Sequence, residues 1–255
     1  MGLFGKLFDK KVCAFCGKEI GLLGNRKLED GNMCKECARK LSPWFSERRH
    51  STVAEIREQL EYREANLEKV KVFHPTRTLG DDTKIIFDED AQVFVVTSAR
   101  NLVEDNPDVL SYQDVTGCLV DIDEDRYEIK REDKDGNEVS YHPPRYMKKF
   151  DFYVTIQVRN PYFDEIRFKL NNHTVEYEEN QQNNFAGIIN GLMGREHQEV
   201  AYYRQMGEEI KTTLLQARES GREALKPKQA ITCSCCGATT IPDAQGCCEY
   251  CGGKA

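Results

Sequence analysis

Two short runs, Cys13-Ala-Phe-Cys16-Gly17 and Cys34-Lys-Glu-Cys37, place a pair of C-x-x-C motifs near the start of the chain, with seventeen residues between them. Each motif forms a tight turn, or knuckle, that supplies two thiolates, and two knuckles at this spacing are a strong signal for a tetrahedral zinc site. Asp30-Gly-Asn32 predicts a hairpin between the knuckles, and Ala38–Leu41 predicts the start of a helix, which would place Cys37 at a helix N-terminus. This order is treble-clef-like. A redox dithiol and a set of buried free cysteines are the alternatives.

A second group of cysteines lies at the other end of the chain. Two C-x-x-C-Gly units occur there, and they predict a short zinc ribbon with a hairpin through residues 241–244. Cys235 and Cys247 are left over in this register, and either could replace one of the four ligands. We therefore predict two zinc ions, one for each set of four cysteines. The predicted ligands are Cys13, Cys16, Cys34, Cys37, Cys233, Cys236, Cys248 and Cys251.

The chain has eleven cysteines but no recognisable export signal. Its first segment, Met1–Lys11, is too short and too charged for the apolar part of a signal peptide, and there is no run of about 18 apolar residues that would span a membrane. Cytosolic thiols are kept reduced, so these cysteines favour metal binding over disulfides, and we expect a cytoplasmic protein. Cys118 lies in a strand pattern and is expected to be a small buried residue.

Charge is distributed unevenly along the 255 residues, whose formal net charge is −7. Residues 1–50 carry 11 Lys and Arg against 6 Asp and Glu, whereas residues 51–225 carry 22 against 35. The acidic middle of the chain would repel phosphate backbones. Any contact with nucleic acid or another anionic surface is therefore expected at residues 1–50.

Apolar periodicity organises the chain between the cysteine sets. Thr52-Val-Ala-Glu55 is a capping box, and apolar residues at helical spacing extend this helix to about Val70. From Lys84 to Tyr177 the apolar residues alternate, which predicts seven or eight short strands in a small barrel or sandwich. Four segments are predicted: 1–50 with an amphipathic segment and the zinc module, 51–75 with a connecting helix, 76–225 with the β domain and its C-terminal helix, and 226–255 with a linker and the zinc ribbon.

Several boundaries inside the β domain can also be predicted. Arg126–Arg131 and Phe150–Val158 are interpreted as separate short strands, with a strong turn at residues 133–137 after the first. Helical spacing returns in an apolar stretch at Phe185–Met193 and in a longer helix from Val200 to Ala217, which Gly221 is expected to end.

No catalytic pattern is recognised, and we predict a protein that is not an enzyme. The five histidines lie in unrelated contexts, and the chain has no Gly-rich phosphate loop. Trp44, the only tryptophan, is expected either to pack on the first zinc module or to face a partner. Met1–Lys11 is amphipathic as a helix, and it could dock on the protein's own surface or lie in a membrane interface.

Taken together, these motifs resemble an uncharacterised bacterial family. Its members combine an N-terminal four-cysteine domain of unknown function with a pleckstrin-homology-like domain, and some end in a zinc ribbon. The resemblance covers nearly the whole chain and rests on the motifs Cys13–Lys18, Asp30–Cys37, Tyr112–Cys118, Asp151–Val154 and Asn160–Ile166. It implies an α+β fold, with a small pleckstrin-homology-like β-barrel of about seven strands and a C-terminal helix, flanked by the treble-clef-like module and the ribbon.

The resemblance does not supply a biochemical function. A lipid-binding pleckstrin-homology site needs clustered Lys and Arg on the strand loops, and this acidic region does not provide them. We predict a zinc-binding, non-catalytic scaffold or adaptor for protein interactions, with a membrane surface as a further contact through Met1–Lys11. The alternative is a nucleic-acid-associated zinc protein. Its candidate contacts are Arg26, Lys27, Lys35, Arg39, Lys40, Arg48 and Arg49.

Overall fold

A computed structural model describes residues 11–21, 23–179, 198–225, 230–243 and 246–254. The chain forms two compact units, Met1–Ala217 and Arg218–Ala255. Nearly all of the predicted amphipathic segment at Met1–Lys11, and the whole of the apolar stretch at Phe185–Met193, lie outside the described residues. Within the ranges given above, no helix combines the length and the apolar character needed to cross a membrane.

The first unit begins with a small cysteine-containing module. Its short strands pair as two antiparallel hairpins, β1 with β2 and β3 with β4, and a one-turn helix follows the second hairpin. A small apolar cluster supports the module, and it includes Leu28 and Met33, both fully buried. The bounds are β1 (Lys11–Val12), β2 (Glu19–Ile20), β3 (Asn25–Lys27), β4 (Asn32–Cys34) and α1 (Lys35–Ala38).

The predicted start of α1 was wrong. The helix begins at Lys35 and ends at Ala38, instead of starting there, so Cys37 lies inside it and Cys34 is its N-cap. The reason is a side-chain hydrogen bond, because the Cys34 Sγ accepts the backbone N–H of Cys37 at 3.4 Å. A cysteine sulfur thus replaces the oxygen acceptor that usually caps a helix.

The long helix α2 (Val53–Val72) follows a 3-10 turn at Glu47–His50. The predicted capping box is confirmed: the Thr52 hydroxyl accepts the backbone N–H of Glu55, and the Glu55 carboxylate accepts the backbone N–H of Thr52 at 2.7 Å. One face of α2 is buried along its whole length. That face carries Ile56, Gln59, Arg63, Asn66 and Val70, at the spacing of three and four residues that helical geometry requires.

Polar groups hold the middle of α2 in place. Arg63 forms a buried ion pair with Asp108, with 2.6 Å between Nη1 and Oδ1, and it also donates to the backbone carbonyls of Lys40 and Asn106. The Ser42 hydroxyl donates to the other oxygen of Asp108 at 2.7 Å. Burial raises the pKa of the Asp108 carboxyl, although Arg63 and Ser42 favour its ionised form. One network therefore joins α2, the cysteine module and the loop at residues 106–108.

The first β-sheet is buried on both faces. Its strands pair in the order β5-β6-β7-β8, all antiparallel, with a one-turn helix α3 between β7 and β8. Ile86 and Val95 pack with Val70 of α2, whereas Phe87 and Phe94 belong to the main core on the opposite face. The bounds are β5 (Arg77–Leu79), β6 (Lys84–Asp88), β7 (Val93–Thr97), α3 (Leu102–Asp105) and β8 (Leu110–Ser111).

The second sheet is built around one long hairpin. Strand β10 pairs along one edge with β9, and along its other edge with β11 and then β12. At the hairpin turn the Asp133 carboxylate accepts the backbone N–H groups of Asp135 and Asn137, both at 2.9 Å, as expected for an Asx turn. The bounds are β9 (Val115–Glu132), β10 (Glu138–Val158), β11 (Glu165–Lys169) and β12 (Val175–Glu178).

Two predictions about this sheet are corrected. Arg126–Arg131 and Phe150–Val158 are not separate short strands, because the ladder between β9 and β10 continues through both, with a register shift between Ser140 and Arg145. The β domain is also not a closed barrel. Among the described strands, hydrogen bonds join β5 to β8 and β9 to β12 as two separate sheets, since a 3-10 turn at Tyr112–Asp114 takes the chain from one sheet to the other.

The two sheets and the helix α4 (Gln198–Leu225) enclose the main apolar core. The predicted helix from Val200 to Ala217 is confirmed, but it continues past Gly221 to Leu225. Its buried side chains are Val200, Tyr203, Met206, Ile210 and Leu214. The fold is therefore a mixed α and β architecture in which one face of each sheet lines a shared core.

The second unit contains the end of α4 and a small hairpin. The hairpin consists of β13 (Ile231–Thr232) and β14 (Thr239–Thr240), which pair antiparallel. These short strands contribute little apolar burial, because Ile231 is 38% exposed and Thr232 is also exposed. The four-part division predicted from the sequence remains a prediction.

Gly207 is the position on α4 that best tests its packing on β9. A Cβ atom at residue 207 would lie 2.7 Å from Cγ1 of Val120, whose β-branched side chain has few rotamers to move to. We expect Gly207→Ala to lower the free energy of unfolding by about 1 kcal/mol, because overpacking outweighs the better helix propensity of alanine. Urea denaturation measures this. Gln205→Ala, at an exposed position of α4, is the matched control and should change stability by less than about 0.5 kcal/mol. A more stable Gly207→Ala protein would contradict the packing.

Candidate metal centres

The four N-terminal cysteines converge on one point. The sulfur atoms of Cys13, Cys16, Cys34 and Cys37 all lie within 4.8 Å of one another, and the distance between the sulfurs of Cys16 and Cys34 is 3.7 Å. A zinc–sulfur bond of about 2.3 Å gives a tetrahedron whose edges are about 3.8 Å long. The spacing is far from the S–S bond length of about 2 Å in a disulfide. The geometry therefore fits four ligands around one ion.

The C-terminal cluster has the same dimensions. The sulfur atoms of Cys233, Cys236, Cys248 and Cys251 lie within 4.8 Å of one another. Sulfur–sulfur distances are 3.7 Å between Cys233 and Cys251 and 3.8 Å between Cys236 and Cys248. Each cluster thus has room for one tetrahedrally coordinated ion. The structure brings together all eight cysteines that the sequence pointed to, in the two predicted sets.

Three of the four knuckles share one backbone design. In each, the first cysteine donates its N–H to the carbonyl five residues later, and the glycine four residues later donates its N–H to the carbonyl of that cysteine, at 2.8–2.9 Å. These glycines adopt φ values of 69°, 73° and 69°, which only glycine reaches without strain. The repeated C-x-x-C-Gly motif is thus a backbone requirement of the knuckle. The first cysteine and the glycine in each are Cys13 and Gly17, Cys233 and Gly237, and Cys248 and Gly252.

The fourth knuckle is different because it leads into α1. Cys34 ends strand β4 and caps α1, so both secondary-structure elements orient its side chain. Its backbone N–H points at the neighbouring ligand and donates to the Cys13 Sγ at 3.3 Å. The order of knuckle, hairpin, knuckle and helix in the module is the treble-clef-like order predicted from the sequence.

The two left-over cysteines have defined places beside the C-terminal cluster. Cys235 is exposed, and its sulfur lies 3.7 Å from the Lys254 carbonyl oxygen. Cys247 is half-buried and forms a backbone bridge with Lys254. Neither belongs to the group of four converging sulfurs. The hairpin strands β13 and β14 flank the first knuckle, and the predicted hairpin through residues 241–244 includes residue 244, which lies outside the described residues.

The thiols of the N-terminal cluster have unequal pKa values. Burial raises the pKa of Cys13, but hydrogen bonds from the backbone N–H groups of Cys16, Cys34 and Phe15 outweigh it and lower the pKa to about 6. Burial and the neighbouring thiols raise the pKa of Cys37 above its usual value. One thiol therefore ionises easily while another resists, because backbone N–H groups favour the Cys13 thiolate, whereas burial and the neighbouring thiols disfavour the Cys37 thiolate.

The C-terminal cluster follows the same pattern. Backbone N–H groups of Cys236 and Cys235 lower the pKa of Cys233 to about 6. The backbone N–H of Gly253 favours the Cys251 thiolate, but the side chains of Cys236 and Cys233 raise the pKa of Cys251 to about 12. A divalent cation would stabilise all four thiolates together, so metal binding is expected to release protons.

The chemistry of these donors favours a structural role. Four soft sulfur ligands suit zinc, and four protein ligands fill a tetrahedral coordination shell with no position left for water or substrate. The clusters can therefore hold the chain in shape, but they are not arranged as catalytic metal sites. Each set could hold one ion with no further ligand.

Other residues singled out from the sequence lie elsewhere. Cys118 is a buried residue of β9, as predicted, and burial raises the pKa of its thiol to about 12. Trp44 is half-buried, but it packs against the main β core and not against the apolar cluster of the cysteine module. The buried pair of Arg63 and Asp108 was missed. The only available signal was the helical spacing of polar residues at 59, 63 and 66 on the apolar face of α2.

Comparison with known proteins identifies one part of the chain. A family model described as a domain of unknown function (DUF4428) matches residues 11–59. The chain thus has a DUF4428 domain at its N-terminus. The match covers the N-terminal cysteine cluster and the first turns of α2. Neither a curated protein nor a solved structure matches the chain. The description of this family names no function.

The two clusters should bind metal independently, because no cysteine is shared between them. We expect elemental analysis of protein purified without added metal to give about two zinc ions per chain, and about one for either Cys34→Ser or Cys248→Ser. Cys118→Ala is the matched control, since Cys118 belongs to neither cluster, and it should keep both ions. A wild-type content near one ion per chain would remove one of the two assignments.

Removal of the metal should unfold the two cysteine modules and leave the β core folded. The apolar cluster of the first module does not include the residues of the main core, and small modules of this kind fold on their metal. We expect a chelator to abolish the ordered structure of both cysteine modules while most of the β-strand signal in circular dichroism survives. Loss of the whole signal would mean that the β core depends on the N-terminal metal site.

Proposed function

We propose that the protein is a zinc-binding, non-catalytic scaffold or adaptor, with one zinc ion in each four-cysteine cluster. The observation that carries this proposal is the pair of complete four-sulfur clusters, one in each compact unit. Ligand sets of this type supply stability instead of catalysis, so the clusters shape surfaces for binding. Reduced thiols also support a cytoplasmic location for the protein.

The C-terminal ribbon offers a surface for a protein partner. Tyr250 is 71% exposed and Ile241 is 49% exposed, although both are large apolar side chains. Tyrosine is enriched in protein interfaces, where its ring is buried and its hydroxyl remains hydrogen-bonded. The ribbon is so small that it has little apolar core in which these side chains could be buried. A partner protein is therefore the occupant that we propose for them.

The pleckstrin-homology-like assignment is part of the same proposal. Two observations support it, the position of the strands β5 to β12 before a helix and the packing of that helix, α4, on the core they form. The separate sheets argue against the closed form of the barrel. Domains of this class often serve as platforms for partners, but the acidic charge of this one does not favour phosphoinositides.

The alternative function, binding to nucleic acid, has one favourable observation. Arg48 lies close enough to Arg26 and Arg49 for their charges to lower its pKa, after the larger effect of burial. Three clustered guanidinium groups could contact phosphates. However, Arg48 also donates to the Lys27 carbonyl at 2.8 Å and Arg26 donates to the carbonyls of Leu23 and Asn25, so these groups already support the module.

Nucleic-acid binding should be weak if the adaptor proposal is right. Four thiolates and one zinc ion add a charge of about −2 to the N-terminal module, which leaves few net positive charges to contact phosphates. We expect no binding tighter than about 10 μM to generic DNA or RNA at physiological salt, measured by fluorescence anisotropy. Submicromolar binding that is lost in the double variant Arg48→Glu, Arg49→Glu, but kept in Arg131→Glu on the distant hairpin, would favour the alternative.

A pull-down from the native cell, with and without nuclease, tests the adaptor proposal directly. The proposal expects captured proteins that survive nuclease treatment and that are lost with Tyr250→Ala or with Cys248→Ser. Tyr127→Ala is the matched control, because Tyr127 is also an exposed tyrosine but lies on β9. Partners that disappear with nuclease would support the alternative function instead.

A further inference from the structure

A cleft separate from both cysteine clusters opens in the first unit. Its volume is about 750 Å³, which is within the range of small-molecule sites. One wall is the segment after α1, which includes Trp44, and the other is the end of β7 and the loop that follows it, which includes Arg100. Arg63 and Ser42 lie between these walls. The cleft thus forms where the cysteine module, α2 and the first sheet meet.

The aromatic wall of the cleft is held in a fixed position. Trp44 packs against the main core, and its backbone N–H donates to the Ser42 hydroxyl at 3.2 Å. Ser42 itself is held by Asp108 through the buried network. Trp44 is half-buried and lines the cleft, so part of the residue is accessible in this structure. A preformed aromatic wall of this kind suits a planar or apolar ligand.

The charge of the cleft is positive, in contrast to the acidic segment that follows the module. Three arginines line it, Arg39, Arg63 and Arg100, and the only acidic lining residue is Asp105. Arg63 is neutralised by Asp108, so it shapes the base of the cleft more than it attracts a ligand. The remaining two guanidinium groups are therefore the ones available to an anion.

Arg39 and Arg100 differ in the interactions that each would have to give up in order to bind a ligand. Arg39 forms only an exposed ion pair with Glu36 at 3.2 Å, which contributes little and is easily exchanged. Arg100 is exposed and makes no hydrogen bond or ion pair with any residue in the described ranges. Near it, Ser98 provides a hydroxyl on the same wall. An arginine without an internal partner, beside an aromatic wall, can form charge-assisted hydrogen bonds with a carboxylate or phosphate.

We propose that this cleft binds a small aromatic anion, whose planar part contacts Trp44 and whose carboxylate or phosphate group contacts Arg100. Nucleoside monophosphates and aromatic carboxylates share this chemistry. The inference goes beyond the adaptor proposal and assigns a site separate from the metal centres, because none of the eight cysteines of the clusters lines the cleft. A bound anion would also lie against Arg63 and Ser42, which join the cysteine module to the sheet.

Trp44 provides the test, because it is the only tryptophan in the chain and it lines this cleft. The full-length protein is titrated with adenosine monophosphate and with benzoate, neither of which carries an indole fluorophore, and calorimetry confirms the affinities. We expect saturable binding of at least one of these anions with a dissociation constant below about 1 mM. Adenosine and inorganic phosphate, each of which carries only half of the recognised chemistry, should bind at least about tenfold more weakly.

Arg100→Gln should weaken binding about tenfold or more, because it removes a charge-assisted hydrogen bond, and Arg100→Lys should retain part of the affinity. Arg131→Gln on the distant hairpin is the matched control and should bind like the wild type. Both positions are exposed, so the folded state should be kept. The proposal is wrong if neither anion binds, if phosphate or adenosine alone binds as tightly, or if Arg100→Gln and Arg131→Gln behave alike.

Discussion

The buried ion pair between Arg63 and Asp108 is the interaction on which the arrangement of the first unit depends. Arg63 comes from α2, Asp108 from the loop before β8, and the Lys40 carbonyl from the segment after α1. A buried ion pair is stable only when its geometry is good and further hydrogen bonds compensate for the lost water. Here Asp108 accepts a hydrogen bond from Ser42, and Arg63 donates one to the Asn106 carbonyl. Removal of one partner from such a pair typically costs about 3–5 kcal/mol. The pair thereby sets where the cysteine module lies against the sheet, and with it the shape of the cleft beside Trp44.

The cysteine modules are stabilised by a different principle. Their apolar clusters are small, and their short strands contain only two or three residues each. In place of a large core, three of the four knuckles satisfy their own backbone groups with two hydrogen bonds and a glycine at positive φ. The unequal thiol pKa values in the N-terminal cluster come from burial and from hydrogen bonds with the backbone and the neighbouring thiols. Such modules therefore need few residues, because the four sulfur ligands of each cluster could hold one metal ion in place of an apolar core.

Basic and acidic residues are concentrated in different parts of the protein. Basic groups gather on the cysteine module and at the cleft, whereas the β domain is acidic. On the long hairpin, many of those charges are used internally, as in the ion pairs of Arg145 with Glu178 and of Arg126 with Glu179. The first pair joins the neighbouring strands β10 and β12, whereas the second reaches across β10, from β9 to the residue after β12. An anionic ligand is therefore directed to the boundary between the module and the first sheet.

The sequence by itself determined the features that arise from a few neighbouring residues. The knuckles, the capping box of α2 and the turn that begins at Asp133 were all predictable, because each depends on contacts within about five residues. Tertiary structure alone decided the continuous ladder of β9 and β10, the two separate sheets, the contact of Trp44 with the β core, and the start of α1 at Lys35. Arg63 and Asp108 are 45 residues apart, and neither has a local pattern that names its partner. A charged residue on a mostly polar helix is ordinarily expected in solvent, so only the packing of distant segments around Arg63 showed that it is buried.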